Sequence, residues 1–253
     1  MSTVLATYNI KGGVGKTSAA VNLAYLAARG GARTLLWDLD PQAASTYLFR
    51  IKPKLRGGAG KLVKLRSEAA ELIKATDYER LDLLPADFSY RHLDLALDNF
   101  KRPTRRLEKV LEPLADEYEY VFLDCPPSIS LVSESVFEAA DALLVPIIPA
   151  TLSARTFEQL DGLVGRSEGL QVLAFFSMVE VRKSLHREVM ARVRAEHSFH
   201  MLGAAVPSSD DVERMGEERT AVAAFAPRTT AALAYEALWW DVRRRLKNPQ
   251  SSV

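Results

Sequence analysis

Lys11-Gly12-Gly13-Val14-Gly15-Lys16-Thr17-Ser18 is the stretch of this chain best equipped for chemistry. Small residues in such a turn let backbone N–H groups converge on phosphate oxygens. Lys16 can reach the terminal phosphates of a nucleotide, and the Thr17 hydroxyl can ligate magnesium. The pattern departs from the ordinary phosphate loop at one point. The position five before Gly15 wants glycine and holds Ile10, while a second lysine, Lys11, opens the turn. A second cation there costs repulsion unless it meets a phosphate.

A phosphate-binding turn of this kind needs a strand before it and a helix after it. The apolar run Val4–Tyr8 precedes it and the helix-like run Ala19–Ala28 follows. Further strands are expected at Thr34–Asp38, Leu81–Pro85, Tyr120–Asp124, Ala142–Ile148, Val172–Met178 and Met201–Val206. Several are apolar almost throughout, as when both faces of a parallel sheet are covered. Helical patterns fall at Lys16–Ala28, Arg105–Ala115, Leu131–Ala139, Ser184–Glu196 and Thr229–Leu246. The alternation predicts a doubly wound α/β fold, with a mostly parallel sheet and helices on both faces. Without internal repeats or a long linker, residues 1–253 read as a single domain. Gly57-Gly58-Ala59-Gly60 reads as a flexible surface loop.

Ligands of such sheets bind at the carboxyl ends of the strands. Asp124 ends one apolar strand and is a candidate to hold magnesium, through water. Asp38 and Asp40 end another. Two carboxylates at one rim repel unless a cation or water relieves them. Asp38 is therefore assigned to the metal-bound water and Asp40 to the hydrolytic water.

Composition narrows the classes. Of 253 residues, 48% are hydrophobic, enough for a sizeable core, and the net charge of +1 means any basic surface must be local. A single cysteine, Cys125, excludes a disulfide framework and a cysteine-ligated cluster within one chain. Neither a signal-like leader nor a membrane-length apolar run is present, so a cytoplasmic protein is expected. His92, His186, His197 and His200 form no metal or triad pattern and read as surface residues, and Cys125 as a small buried residue at a stiff turn.

Together, Lys11–Thr17, Asp38-Leu-Asp-Pro-Gln42 and Val121-Phe-Leu-Asp-Cys-Pro-Pro127 resemble the ParA/MinD family of deviant Walker A ATPases, the second stretch the ParA branch in particular. Met178–Val189, with Arg182, and Pro207–Ala234, with Phe225-Ala-Pro227, look like the C-terminal half of short ParA proteins. The resemblance implies ATP and Mg2+ as ligands and an ATP-dependent homodimer. Lys11 would act across the dimer, Lys16 and Thr17 on phosphate and magnesium, and Asp40 in hydrolysis. Pro207 and Ser209 fall where the family packs adenine. Ser18 stands where a second threonine is common and keeps the hydroxyl.

ParA proteins are similar in binding DNA without sequence preference and in answering to a ParB-like or cargo-adaptor protein, which implies a nucleoid-associated role. Basic clusters are available. Arg50, Lys52, Lys54, Arg56, Lys61, Lys64 and Arg66 surround the Gly57–Gly60 stretch and are set aside for a partner. Lys101, Arg102, Arg105 and Arg106 form a second group. Arg182, Lys183, Arg187, Arg192, Arg214 and Arg219 are the favoured DNA contacts, giving salt-sensitive, sequence-blind affinity. The rival reading is a MinD-like membrane ATPase. It rests on the helical spacing of Tyr235, Leu238, Trp239, Val242 and Leu246 beside Arg243–Arg245. Packing of that helix on the sheet, with Trp240 partly exposed and no membrane contact, is the expected outcome. A metabolic P-loop ligase is a third class and would need a substrate pocket.

Overall fold

The structure is a computed structural model, and it describes residues 2–65, 69–164 and 169–248. Arg66 and the tail beyond Asn248 lie outside the described residues. Eight strands form one sheet: β1 (Thr3–Thr7), β2 (Thr34–Asp38), β3 (Lys74–Ala75), β4 (Leu81–Leu84), β5 (Tyr120–Asp124), β6 (Ala142–Ile147), β7 (Gln171–Val179) and β8 (Met201–Pro207). Their order is β3-β4-β2-β5-β1-β6-β7-β8. Every pairing is parallel except β3 with β4. The helices are α1 (Lys16–Arg29), α2 (Ala44–Leu48), α3 (Gly58–Val63), α4 (Ala69–Leu72), α5 (Leu93–Asp98) and α6 (Arg106–Leu111). They continue as α7 (Leu131–Ala139), α8 (Thr151–Val164), α9 (Ser184–Glu196), α10 (Asp210–Glu218), α11 (Val222–Phe225) and α12 (Thr230–Lys247).

Side-chain alternation divides the core into two layers. Val4, Ala6, Leu35, Trp37, Val121 and Leu123 face one layer, with the apolar sides of α3 and of α5 to α9. Leu5, Leu36 and Phe122 face the other, with α1, α10, α11 and α12. Burial on both faces is why these strands read as nearly continuous apolar runs. The parallel register carries β1, β2 and β5 to one rim, with Thr7 beside Asp124 and Asp38 beside Asp124.

Three expectations need correction. Gly57–Gly60 is not a loop throughout: α3 begins at Gly58 and buries Ala59, Leu62 and Val63. Tertiary contacts override the glycines there, because Ser89 Oγ accepts the Ala59 N–H at 2.8 Å and Asp87 accepts the Leu55 N–H at 2.9 Å. His186 is buried, not on the surface, and its Nδ1 accepts the Glu180 N–H at 3.1 Å. His197 does belong to a constellation. Its ring nitrogen and the carboxylates of Glu158 and Glu196 all come within 4.8 Å of one another. The packing of α8 beside α9 creates that group, which linear spacing cannot reveal.

Candidate functional site

The glycine turn connects β1 to α1 at the carboxyl rim. Gly13 and Gly15 have φ of +69° and +94°, conformations that L side chains adopt only with strain. At Gly15 space is also lacking, since a Cβ would lie 2.8 Å from Ser177 Oγ beneath the turn. Gly15→Ala should therefore lower stability by about 1–2 kcal/mol from backbone strain alone, with the Ser177 contact added. A thermal midpoint depressed by roughly 2–8 °C is expected. Adding Ser177→Ala should recover part of it, and a thermal scan of both variants checks this.

Lys16 is buried at the head of α1, and its ammonium donates to the Lys11 carbonyl at 3.1 Å. Burial, the main influence, lowers its pKa, while Asp124 and Asp40 oppose the shift. Val14 is buried beneath the turn, and Gly12 and Gly13 are exposed. Thr17 and Ser18 are half-buried on the first turn of α1. Lys11 is exposed. Its N–H donates to Asn9 Oδ1 at 2.9 Å and its Nζ donates to Ser153 Oγ at 3.3 Å. Among the described residues it makes no ion pair.

The strand holding Asp38 ends there, so Asp38 and Asp40 diverge. Asp38 is fully buried; its Oδ2 accepts from the Thr46 N–H at 2.8 Å and the Thr46 hydroxyl at 2.7 Å. Its Oδ1 accepts the Asp40 N–H at 3.2 Å. Asp40 is half-buried, and its Oδ1 accepts the Gln42 N–H at 2.9 Å. Asp124 is fully buried, with Oδ2 accepting from Ser45 Oγ at 2.7 Å. Burial pushes the pKa of Asp38 up, and the charge of Asp124 adds to the rise. Burial likewise raises Asp124, against the hydrogen bond from Ser45 and the nearby hydroxyl of Thr17.

This geometry suits a divalent cation. Asp124 Oδ1 is buried with no hydrogen-bond partner among the described residues, and a second buried carboxylate faces it across the β2–β5 pair. An orphaned acceptor of that kind carries a full desolvation cost unless a ligand meets it. Thr17 supplies a hydroxyl at the same point.

Sequence reasoning missed the hydroxyls that hold these acids. Ser45 and Thr46 lie in α2, and only the packing of α2 on the rim directs them to Asp124 and Asp38. Asn9, which donates to the Pro146 carbonyl at 2.8 Å and accepts from Lys11, was also missed.

Beside the turn lies a cleft of about 800 Å³, lined by Thr17, Ser18, Gln42, Tyr47, Val212, Met215 and Arg219 among others. Pro207 ends β8, and Ser209 caps α10 by accepting the Asp211 N–H at 3.2 Å. Neither lines this cleft; both stand at the start of the helix that forms one wall.

The basic candidates are scattered, and most are engaged. Lys183 pairs with Glu180 at 2.6 Å and Arg214 with Glu218 at 2.9 Å. Arg187 donates to the carbonyls of Val181 and Arg182. Arg219 stacks on Tyr47 and donates to its carbonyl at 3.0 Å. Arg182 and Arg192 are exposed without an ion pair among the described residues. On α12, Tyr235, Leu238, Trp239 and Val242 are buried in the core, leaving Trp240 60% exposed. Among the described residues no helix is long and apolar enough to cross a membrane.

Comparison with known proteins gives this geometry its relatives. Residues 2–167 match the family model described as an AAA domain. The chromosome partitioning protein ParA of Caulobacter vibrioides is 30% identical over 260 residues, covering 99% of this chain and 97% of that protein. The chain belongs to the ParA/MinD family of P-loop ATPases. Solved structures in this fold include a putative plasmid partition protein from Borrelia burgdorferi bound to AMPPNP. It has a TM-score of 0.85 at 19% identity, covering 97% of this chain and 100% of that one. Another is cobyrinic acid a,c-diamide synthase from Mycobacterium smegmatis with bound ATP analogue and magnesium. Its TM-score is 0.83 at 23% identity, over 100% of this chain and 98% of that one.

Proposed function

We propose that residues 1–253 act as one ParA-type ATPase domain, which closes into a homodimer around ATP, binds DNA without sequence preference in that state, and opens after hydrolysis. A partner protein would stimulate hydrolysis and couple the cycle to a cargo. The observation that carries this reading is Lys11, an exposed cation beside a phosphate loop, with no ion pair among the described residues. A charge so presented suits the nucleotide of a second subunit. The partitioning names of the Caulobacter and Borrelia proteins favour a nucleic-acid cargo. The burial of the apolar side of α12 speaks against the MinD-like membrane reading.

In this mechanism the N–H groups of Gly12 to Thr17 cradle the phosphates, and Lys16 turns its ammonium from the Lys11 carbonyl to them. Thr17 and, through water, Asp124 and Asp38 would hold magnesium, which when bound neutralises charge on the phosphate oxygens. Ser45 and Thr46 keep the two carboxylates aimed. Asp40, fixed through Oδ1 by the Gln42 N–H, keeps Oδ2 for the attacking water. Pro207 and Ser209 would border the adenine.

Asp40→Ala should slow turnover by roughly a hundredfold or more. It should retain ATP affinity and accumulate the ATP dimer on DNA. Single-turnover hydrolysis with gel filtration and DNA co-sedimentation tests this, and wild-type rates would remove Asp40 from its role. Flotation with ATP on anionic liposomes but not sedimentation with DNA would favour the membrane reading instead.

A further inference from the structure

At its β3 edge the sheet ends in a strongly cationic cleft. Its volume is about 810 Å³, and its lining carries Lys52, Lys54, Arg56, Lys61 and Lys74 against one acid, Glu71. Five cations against one acid leave +4 here, whereas the whole chain carries +1, so the remainder sums to −3. Among the described residues none of these five cations makes an ion pair. Lys54 lies near Asp87, whose carboxyl it helps hold below the ordinary range, after the effects of burial and hydrogen bonds. Like charges gathered with too few counter-ions repel, and an anionic ligand would relieve that repulsion.

Ile51, Leu72 and Ala75 add an apolar component to the lining. One side is β3, which pairs only with β4 and forms the edge of the sheet. Lys74 and Ala75 are exposed, and an edge strand presents the backbone groups of its outer side to another chain. Three strands separate β3 from β1, a span of about 19 Å at the usual spacing. No residue of the phosphate loop lines this cleft, but Ile51 and Lys52 line both it and the cleft beside Thr17.

We infer that this cleft is a docking site for an extended acidic segment of a partner protein, which adds a strand to β3 while its carboxylates meet Lys52, Arg56 and Lys74. Strand addition takes affinity from main-chain hydrogen bonds and specificity from alternate side chains. Duplex DNA fits less well. Its phosphates could touch the lysines, but backbone-phosphate contacts leave the apolar lining and the edge of β3 without a counterpart. The inference stands apart from the nucleotide cycle, since it invokes no residue of the phosphate loop.

The test uses the full chain and a fluorescent peptide alternating Glu with Leu and Val, with its Gln counterpart as control. Anisotropy near 0.15 M salt should show the Glu peptide binding at least about tenfold tighter. Arg56→Glu with Lys74→Glu, neither of which lines the cleft beside Thr17, should abolish that preference, leave ATP turnover unchanged, and confer binding on a matching Lys peptide. Amide exchange should slow at Lys74–Thr76 when the Glu peptide is added. Equal binding of the Glu and Gln peptides would overturn the proposal, as would unchanged exchange at β3. So would protection of the cleft lysines by duplex DNA that the peptide cannot compete away.

Discussion

Lys16→Ala should abolish measurable ATP binding, an affinity loss of at least about a hundredfold, while the protein stays folded. A hydrogen bond to a charged group contributes about 1.5–3 kcal/mol, and Lys16 makes its contacts where water is largely excluded. Its burial is evident in the structure, as is the downward pressure that burial exerts on its pKa. The charged ammonium is therefore a cost to the fold that a phosphate ligand offsets. Removing it should leave the midpoint of the nucleotide-free protein within a few degrees of wild type. Ligand at a hundred times Kd stabilises by about 2.7 kcal/mol, a shift of roughly 5–10 °C for wild type that the variant should lack. Titration with a fluorescent ATP analogue and thermal scans with and without nucleotide read both quantities. Unchanged affinity would reject the cradle.

Lys11→Ala should behave oppositely: ATP still binds the monomer, but hydrolysis falls by about a thousandfold or more, the scale of a cation supplied late to the γ-phosphate. Stability should change by no more than about 0.5 kcal/mol, because Lys11 is exposed and its side chain makes only a long bond to Ser153. Mixing gives the sharper readout. If the lysine acts across a dimer, Lys11→Ala and Asp40→Ala subunits combined should restore turnover at one of the two sites. The Lys11→Ala subunit keeps its own Asp40 and receives a lysine from its mate. If the lysine acts within its own chain, both sites of the mixed dimer are dead. Absence of restored turnover, with mixed dimers verified by mass, would refute the arrangement.

Legibility followed the range of the interactions. β2 and β5 run over the residues expected, as do α7 and α9, because their patterns are local. The strand Lys74–Ala75 was missed: two exposed residues carry no alternation, and pairing with Leu83 and Asp82 defines them. The α8 helix was also unannounced. Arg105–Ala115, read as one helix, is a single α-helical stretch, Arg106–Leu111, flanked by 3-10 turns, with Pro113 inside the second.

The site divides the same way. Sequence alone determined the glycine turn between β1 and α1, because glycines at that spacing, after an apolar run and before a helical one, leave the backbone few other conformations. It also determined the acids at the ends of β2 and β5, since apolar strands that stop at aspartate must stop at a rim. Tertiary structure decided what those acids do before any ligand arrives. It buried Asp38 and Asp124 side by side, gave them the hydroxyls of Ser45 and Thr46, and left Asp124 Oδ1 without a partner among the described residues. It also brought basic residues from the chain after α2, from α3 and from the β3 edge around one cleft. The physical reason is range: backbone conformation is set by near neighbours, whereas desolvation and charge clustering depend on groups that only folding brings together.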